Sequence, residues 1–106
     1  MDGKTRARFT ARAGILKAMA HPTRLFIIDE LSRGERCVAD LTAMIGADTS
    51  TVSKHLSLLK NAGIVLDEKR RSQVFYTLRT TCVVNFFSCV ESVLKTAAQD
   101  RLESAG

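Results

Sequence analysis

The chain has 106 residues, enough for one hydrophobic core, so we expect a single domain over residues 1–106. Its residues are 45% hydrophobic and 25% charged, which is typical of globular proteins and argues against a disordered chain. The net charge is +5, and a small basic protein often has an anionic partner. No apolar run approaches the roughly 20 residues that span a bilayer, and no signal peptide is recognisable. We therefore expect a cytoplasmic protein with no membrane partner.

Two helices are predicted in the first 31 residues. Apolar residues at helical spacing from Phe9 to Met19 indicate the first, and Pro22 ends it because a proline disfavours helical geometry at the residue before it. The same proline suits the first turn of a new helix, which is predicted over residues 23–31. The side chains expected to be buried on this second helix are Leu25, Ile28 and Leu31, with Phe26 or Ile27 beside them.

Two further helices are predicted close together in the middle of the chain. A short third helix covers residues 38–45 and ends at Gly46, since glycine readily adopts the left-handed conformation of a helix end. Asp48 predicts the start of a fourth helix, because its carboxylate can accept hydrogen bonds from first-turn N–H groups; this helix runs to Asn61. The residues expected to be buried are Leu41, Met44 and Ile45 on the third helix and Val52, Leu56 and Leu59 on the fourth, with Leu58 as a further candidate.

A β-hairpin and a long helix complete the predicted elements. Residues 64–66 and the alternating residues 74–78 have strand character, and the charged run 67–72 between them predicts the hairpin tip. The last helix, over residues 81–102, is so apolar that we expect part of it to be buried on a second copy. The predicted fold is therefore mostly α with a small β-hairpin: a winged helix-turn-helix with five helices and a two-stranded antiparallel wing, in a homodimer.

The fourth helix carries the features of a DNA-reading element. In a helix-turn-helix the second helix enters the major groove and presents its N-terminal residues to base edges. Here that helix begins with small hydroxyl side chains, which can approach bases and phosphates closely. The predicted base contacts are Thr49, Ser50, Thr51, Ser53 and His55, and the predicted phosphate contacts are Lys54, Lys69, Arg70 and Arg71. The sequence thus predicts a protein that binds double-stranded DNA without needing a cofactor.

Three segments resemble the ArsR/SmtB family of metalloregulators. They are residues 16–25 (LKAMAHPTRL), 34–41 (GERCVADL) and 50–59 (STVSKHLSLL), and the resemblance extends over roughly residues 14–80. It implies a homodimer joined through the first and last helices, which represses transcription from an imperfect palindromic operator until an inducer releases it. It also implies a structural role for His21, which belongs to the family's motif before the second helix.

The cysteines are the candidate sensor. One subgroup of the family, responsive to arsenite and soft metals, has Cys-Val-Cys-Asp at the start of the third helix, where this chain has Cys37-Val38-Ala39-Asp40. Cys37 is the favoured sensor, because the start of a helix stabilises a thiolate. Cys82 and Cys89 are separated by about 10 Å along the predicted last helix, at roughly 1.5 Å per residue, too far to chelate one ion alone. Glu91 is the only candidate zinc ligand nearby, so zinc or nickel sensing is not expected there.

Three interpretations of the thiols stay open. Cys37, Cys82 and Cys89 can together bind As(III) or another soft metal ion as inducer, within one copy or across the dimer. Two of them can instead form a disulfide or a persulfide bridge, which makes a redox-sensing repressor. Alternatively, the two later cysteines simply belong to the apolar face of the last helix. The favoured function is a repressor released by a thiol-seeking effector, arsenite or another soft metal ion.

Two other functional classes are alternatives to DNA binding. A winged helix can serve as a protein-interaction module that does not read DNA; such a module would tolerate loss of the basic wing. An enzyme is not expected, because the only histidines are His21 and His55 and the sequence has neither a glycine-rich phosphate loop nor a plausible catalytic triad.

Overall fold

The computed structural model describes residues 1–105; Gly106, the last residue of the predicted domain, lies outside the described residues. Five α-helices, three β-strands and one 3₁₀ turn follow one another along this part of the chain. In order they are α1 (Gly3–Met19), α2 (Pro22–Leu31), β1 (Arg36–Cys37), α3 (Val38–Ile45), α4 (Thr49–Asn61), β2 (Val65–Arg70), β3 (Gln73–Leu78), the 3₁₀ turn Thr81–Val84 and α5 (Asn85–Ala105). The four helices predicted before residue 62 are all present.

The helix starts are set by side-chain caps. The Asp2 carboxylate accepts a hydrogen bond from the Thr5 N–H at 2.7 Å, so α1 begins six residues before the predicted Phe9, where no apolar periodicity marks the helix. His21 caps α2 through its Nδ1, which accepts from the Thr23 N–H at 3.1 Å. This contact gives His21 the structural role that the family resemblance implies.

The central helix-turn-helix has the predicted boundaries. α3 ends at Gly46, whose φ of 78° is the left-handed conformation that glycine adopts without strain. Asp48 then caps α4 by accepting from the Thr51 N–H at 2.7 Å. Only a short turn therefore separates the two helices, which fixes their relative orientation.

The sheet has three antiparallel strands in the order β1-β3-β2, so the prediction of a two-stranded wing is incomplete. The β2–β3 hairpin is paired from Val65 opposite Leu78 to Arg70 opposite Gln73. Residues 67–70, predicted as a loop, therefore continue the strand, and the turn is only two residues long. β1 pairs with the other edge of β3. A two-residue strand is too short to show an alternating pattern, which is why the sequence did not reveal it.

One core joins the helices to the sheet. Its buried members are Met19, Ile27, Ile28, Leu31, Leu41, Val52, Leu56, Leu59, Ile64, Val65 and Tyr76. On α2 the buried residue beside Ile28 is Ile27, whereas Leu25 and Phe26 are exposed, so the prediction for Leu25 is wrong. Met44 and Leu58 are also exposed, contrary to prediction. The buried residues of each helix recur at the predicted helical spacing. Fewer apolar residues are buried than predicted, because only one side of each helix faces the core.

The first and last helices extend beyond this core. The last α-helix begins at Asn85, after the 3₁₀ turn, and not at Thr81 as predicted. Its side chains from Ser88 to Ser104 are all exposed in the single chain. The large exposed apolar side chains on the two helices are Phe9, Ile15 and Leu16 on α1 and Phe86, Val90, Val93, Leu94 and Leu102 on α5. None of the described helices combines the length and apolar character needed to cross a membrane.

The core position of α4 gives the first prediction. Leu56 is fully buried, whereas Leu58 on the same helix is 50% exposed. We expect Leu56→Ala to lower the free energy of unfolding by about 2–5 kcal/mol, because it leaves a cavity. The control Leu58→Ala should cost less than about 1 kcal/mol. Urea unfolding at one fixed protein concentration measures both, since association would add to the apparent stability. Equal losses would contradict this packing of α4.

Candidate nucleic-acid interface

The start of α4 and the tip of the β2–β3 hairpin border the same surface groove. Thr49 and Ser53 line it from α4, and Ser72 and Gln73 line it from the hairpin. The remaining lining comes from the start of α3, including Cys37, and from β3. A hairpin beside the exposed start of the second helix is the arrangement of a winged helix-turn-helix; we call the hairpin the wing from here on.

The predicted base-contacting residues are distributed over two sides of α4. Thr49, Ser50 and Thr51 are exposed, and Ser53 is half-buried where it lines the groove. The Ser50 hydroxyl donates a hydrogen bond to the Asp48 carboxylate at 3.1 Å. Hydrogen bonds from Thr51, side chain and backbone, lower the pKa of Asp48, so the cap stays ionised. The first turn of α4 is thereby capped, and its three hydroxyl-bearing side chains are exposed.

His55, which the sequence predicts as a base contact, is half-buried on the side of α4 that faces α2. Its ring lies 4.4 Å from that of His21, measured between centroids, and its Nδ1 is 3.1 Å from a guanidinium nitrogen of Arg24. Arg24 also donates from Nε to the Ala18 carbonyl oxygen at 2.6 Å. Burial, followed by the charges of His21 and Arg24, lowers the pKa of His55. The neutral ring accepts from Arg24 and joins α4 to the α1–α2 junction.

The basic side chains predicted to contact phosphate are in two different settings. Lys54, Lys69 and Arg71 are exposed, and within residues 1–105 none of them forms an ion pair. Arg70 instead pairs with Glu35 and Glu68. Arg71 has a φ of 58° in the wing turn, an unusual conformation for a residue other than glycine.

The three cysteines lie in three separate settings. Cys37 is buried and caps α3, its Sγ accepting from the Asp40 N–H at 3.4 Å. Cys82 lies in the 3₁₀ turn, not in the last α-helix as predicted, and lines an apolar cleft with Ile15 and Phe86. Cys89 is exposed on α5. One copy of the chain, as described over residues 1–105, groups no three His, Cys, Asp or Glu side chains in a way that could hold a metal ion.

Two contacts of this region were not predicted from the sequence. Arg24 reaches His55 across 31 positions, and Glu35 reaches Arg70 across 35. Neither pair has a local signal in the sequence, because the two partners of each pair lie on elements that are far apart along the chain. Only the packing of the elements brings them together.

Comparison with known proteins agrees with this geometry. The family model described as "Bacterial regulatory protein, arsR family" matches residues 21–66, from the cap of α2 to the second residue of β2. HTH-type transcriptional regulator NmtR of Mycobacterium tuberculosis is 34% identical over 99 residues, which cover 89% of this chain and 81% of that protein. A biofilm growth-associated repressor of Agrobacterium fabrum is 39% identical over 71 residues, which cover 67% of this chain and 61% of that protein. The chain thus spans less than two thirds of the length of this second relative.

A solved structure shows the same architecture. The homodimeric winged helix-turn-helix DNA-binding domain of Mb0332 from Mycobacterium bovis superposes with a TM-score of 0.77 at 27% identity, covering 94% of this chain and 93% of that one. The fold is therefore that of winged helix-turn-helix proteins, as predicted. The chain belongs to the ArsR family of bacterial regulatory proteins. Its named relatives are a regulator and a repressor, which agrees with the expectation that it is not an enzyme.

The environment of His55 predicts a pH-dependent stability. Its pKa is lowered from 6.5 in the folded protein, so the unfolded chain binds the proton at a higher pH than the folded one. The contribution of His55 to the free energy of unfolding is therefore fully present above about pH 7. It is lost as the pH falls through 6.5 towards the lower pKa of the folded state. We expect His55→Asn, whose side-chain oxygen can still accept from Arg24, to flatten this dependence.

Urea unfolding between about pH 8 and about pH 5 measures this dependence, a range that brackets the ordinary pKa of histidine. For each protein, the free energy of unfolding is expressed relative to its own value at the highest pH. Any loss of packing in the variant then cancels, because it affects both values equally. A pH dependence that is the same in wild type and His55→Asn would show that His55 does not contribute.

Proposed function

We propose that this protein is a homodimeric, sequence-specific DNA-binding transcriptional repressor. The observation that carries the proposal is the shared groove between the hydroxyl-rich start of α4 and the tip of the wing. A duplex that receives α4 in its major groove would meet the wing on the adjacent backbone, so both elements can act on one DNA molecule. Membership of a family of bacterial regulatory proteins supports the same function.

The proposed contacts divide by chemistry. Thr49, Ser50, Thr51 and Ser53 present hydroxyl groups that can donate to or accept from base edges and phosphates. The exposed cations Lys54, Lys69 and Arg71 neutralise phosphates. His55 is not included, because its Nδ1 is occupied by Arg24 on the inner side of α4. Through this contact His55 helps to fix the position of α4, the proposed DNA-reading helix, against α2.

A second copy completes the proposed binding unit. The exposed apolar residues of α1 and α5 would leave water on pairing with the same surface of another copy. Full burial of an exposed apolar side chain contributes about 1.5–3 kcal/mol, and the half-exposed ones contribute correspondingly less. The solved neighbour from Mycobacterium bovis is homodimeric, which supports this association. Two reading helices placed about 34–36 Å apart would meet successive major grooves of a palindromic site.

The phosphate contacts predict a measurable salt dependence. Arg71→Asn removes one charge from each wing while keeping a residue type that tolerates a positive φ, so the turn should persist. We expect weaker binding to all duplexes alike. The slope of log affinity against log salt should become shallower by about 1.8 for the dimer, at about 0.9 for each lost phosphate contact. Mobility shifts over a salt series measure this slope.

A groove variant supplies the matched control. Ser53→Ala leaves the charge unchanged, so its salt slope should equal that of wild type, while the duplexes it selects from a random-sequence pool should differ. If wild type selects no sequence from the pool, or binds with an affinity independent of salt, the proposed function is wrong.

We also propose that a thiol-seeking effector, arsenite or another soft metal ion, releases the repressor through Cys37. Cys37 caps α3 at the edge of the groove that Thr49 and Ser53 line, so a new ligand on its sulfur would displace the cap beside the reading helix. A soft ion needs several ligands, and one copy as described over residues 1–105 does not group three of them, so thiolates from Cys82 or Cys89 would have to be brought to the ion by the dimer. Both lie next to the exposed apolar surfaces of α1 and α5, where a second copy would add its own cysteines.

Serine variants test the effector. Cys37→Ser should retain α3, because serine is a preferred N-cap, and should abolish release from DNA by arsenite or Cd²⁺. Release is followed by mobility shift with arsenite, antimonite, Cd²⁺, Zn²⁺ and a persulfide donor, for wild type and for Cys37→Ser, Cys82→Ser and Cys89→Ser. Release by the persulfide donor alone would favour the redox interpretation. A response that survives all three substitutions would exclude a cysteine-based sensor.

A further inference from the structure

The guanidinium of Arg70 is held on one face of the wing by three side chains. Its two terminal nitrogens donate to the two carboxylate oxygens of Glu35, one of them at 2.7 Å, which is a bidentate pair. One of these nitrogens also lies 3.1 Å from the Glu68 carboxylate. The guanidinium carbon is 4.7 Å from the centre of the Phe75 ring, a stacking distance. The side chain thus has a fixed place although it is partly exposed.

This arrangement links the two edge strands across the central one. Glu68 is paired opposite Phe75, so alternation along β2 and β3 places Arg70, Glu68 and Phe75 on the same face of the sheet. Glu35 immediately precedes β1, on the other side of β3. Arg70 therefore spans β3 over the Phe75 ring and connects the far end of the wing to the segment that leads into α3.

The charges around Arg70 oppose a second role as a phosphate contact. Two carboxylates surround one guanidinium, so the group as a whole has a net charge of −1. The hydrogen bonds from Arg70 lower the pKa of Glu35, and those to Glu35 and Glu68 raise the pKa of Arg70, so Glu35 and Arg70 both stay ionised at neutral pH. A phosphate approaching Arg70 would meet this net negative charge, whereas Lys69 and Arg71 form no ion pair in the described chain.

We propose that Arg70 is a positioning residue, which fixes the wing against the body of the protein through Glu35 and Phe75, and that it does not bind phosphate. This revises the sequence-based prediction for Arg70 and rests on the proposed DNA-binding function. Its consequence is that Glu35, an acidic residue, favours DNA binding, because without it the wing loses its fixed angle relative to α4.

Amide hydrogen exchange of the free protein tests the positioning without DNA. Arg70→Gln and Glu35→Gln should each speed exchange at the paired amides near the end of the wing, by severalfold. The double variant should be no faster than Arg70→Gln alone, because Glu35→Gln removes a contact that Arg70→Gln has already removed. Lys69→Gln, one residue away and without an ion pair, is the control and should exchange like wild type. Unchanged exchange in both single variants would overturn the proposal, whatever the protein binds.

Arg70→Lys separates positioning from phosphate binding, because lysine keeps the charge but loses the planar fork and the stacking. The probe is a duplex selected by wild type from a random-sequence pool. We expect Arg70→Lys, Arg70→Gln and Glu35→Gln to weaken binding severalfold and to a similar extent, with the salt slope of wild type in all three.

The opposite pattern would overturn the proposal. If Arg70 contacted phosphate, Arg70→Lys would bind like wild type and Arg70→Gln would flatten the salt slope by about 1.8 for the dimer, as expected for Arg71→Asn. Tighter binding by Glu35→Gln would likewise show that Glu35 competes with DNA for Arg70. Failure of wild type to select any duplex would instead refute the proposed function and leave the exchange measurement to decide the role of Arg70.

Discussion

Burial of one stripe of α4 is the constraint on which the rest of the structure depends. Val52, Leu56 and Leu59 are fully removed from water against the α2, α3 and sheet residues of the core. Because a helix has only one side to bury, this packing turns the hydroxyl-rich start of α4 outwards. The proposed reading surface is thus a direct result of the hydrophobic core.

Polar contacts then refine the position of the elements around that core. Arg24 and the two histidines join α4 to the junction of α1 and α2, and Arg70 joins the wing to the segment before α3. Both arginines contribute to the basic composition of the chain, yet both pair with side chains of the protein itself. At the proposed interface, the exposed cations that form no ion pair within residues 1–105 are therefore Lys54, Lys69 and Arg71.

The sequence predicted the helices of the central region well, because local signals define them. Asp48 and Gly46 set the boundaries of α3 and α4 through backbone geometry that involves only neighbouring residues. The sequence was less informative where two elements meet. It missed β1, whose two residues make a strand only by pairing with β3, and it placed Leu25 in the core although Ile27 occupies that side of α2.

The sequence by itself determined the order of the five helices and the hairpin, the Asp48 and Gly46 boundaries of the central helices, the family and the hydroxyl-rich start of α4. These properties follow from periodicity, from sequence motifs and from interactions between residues a few positions apart, all of which can be recognised without knowing the tertiary structure. Only the tertiary structure decided which basic residues remain exposed, where His55 lies and that the three cysteines occupy separate settings. Those properties depend on partners 31 to 35 residues away, as for His55 and Arg70, or on which side of a helix meets the core.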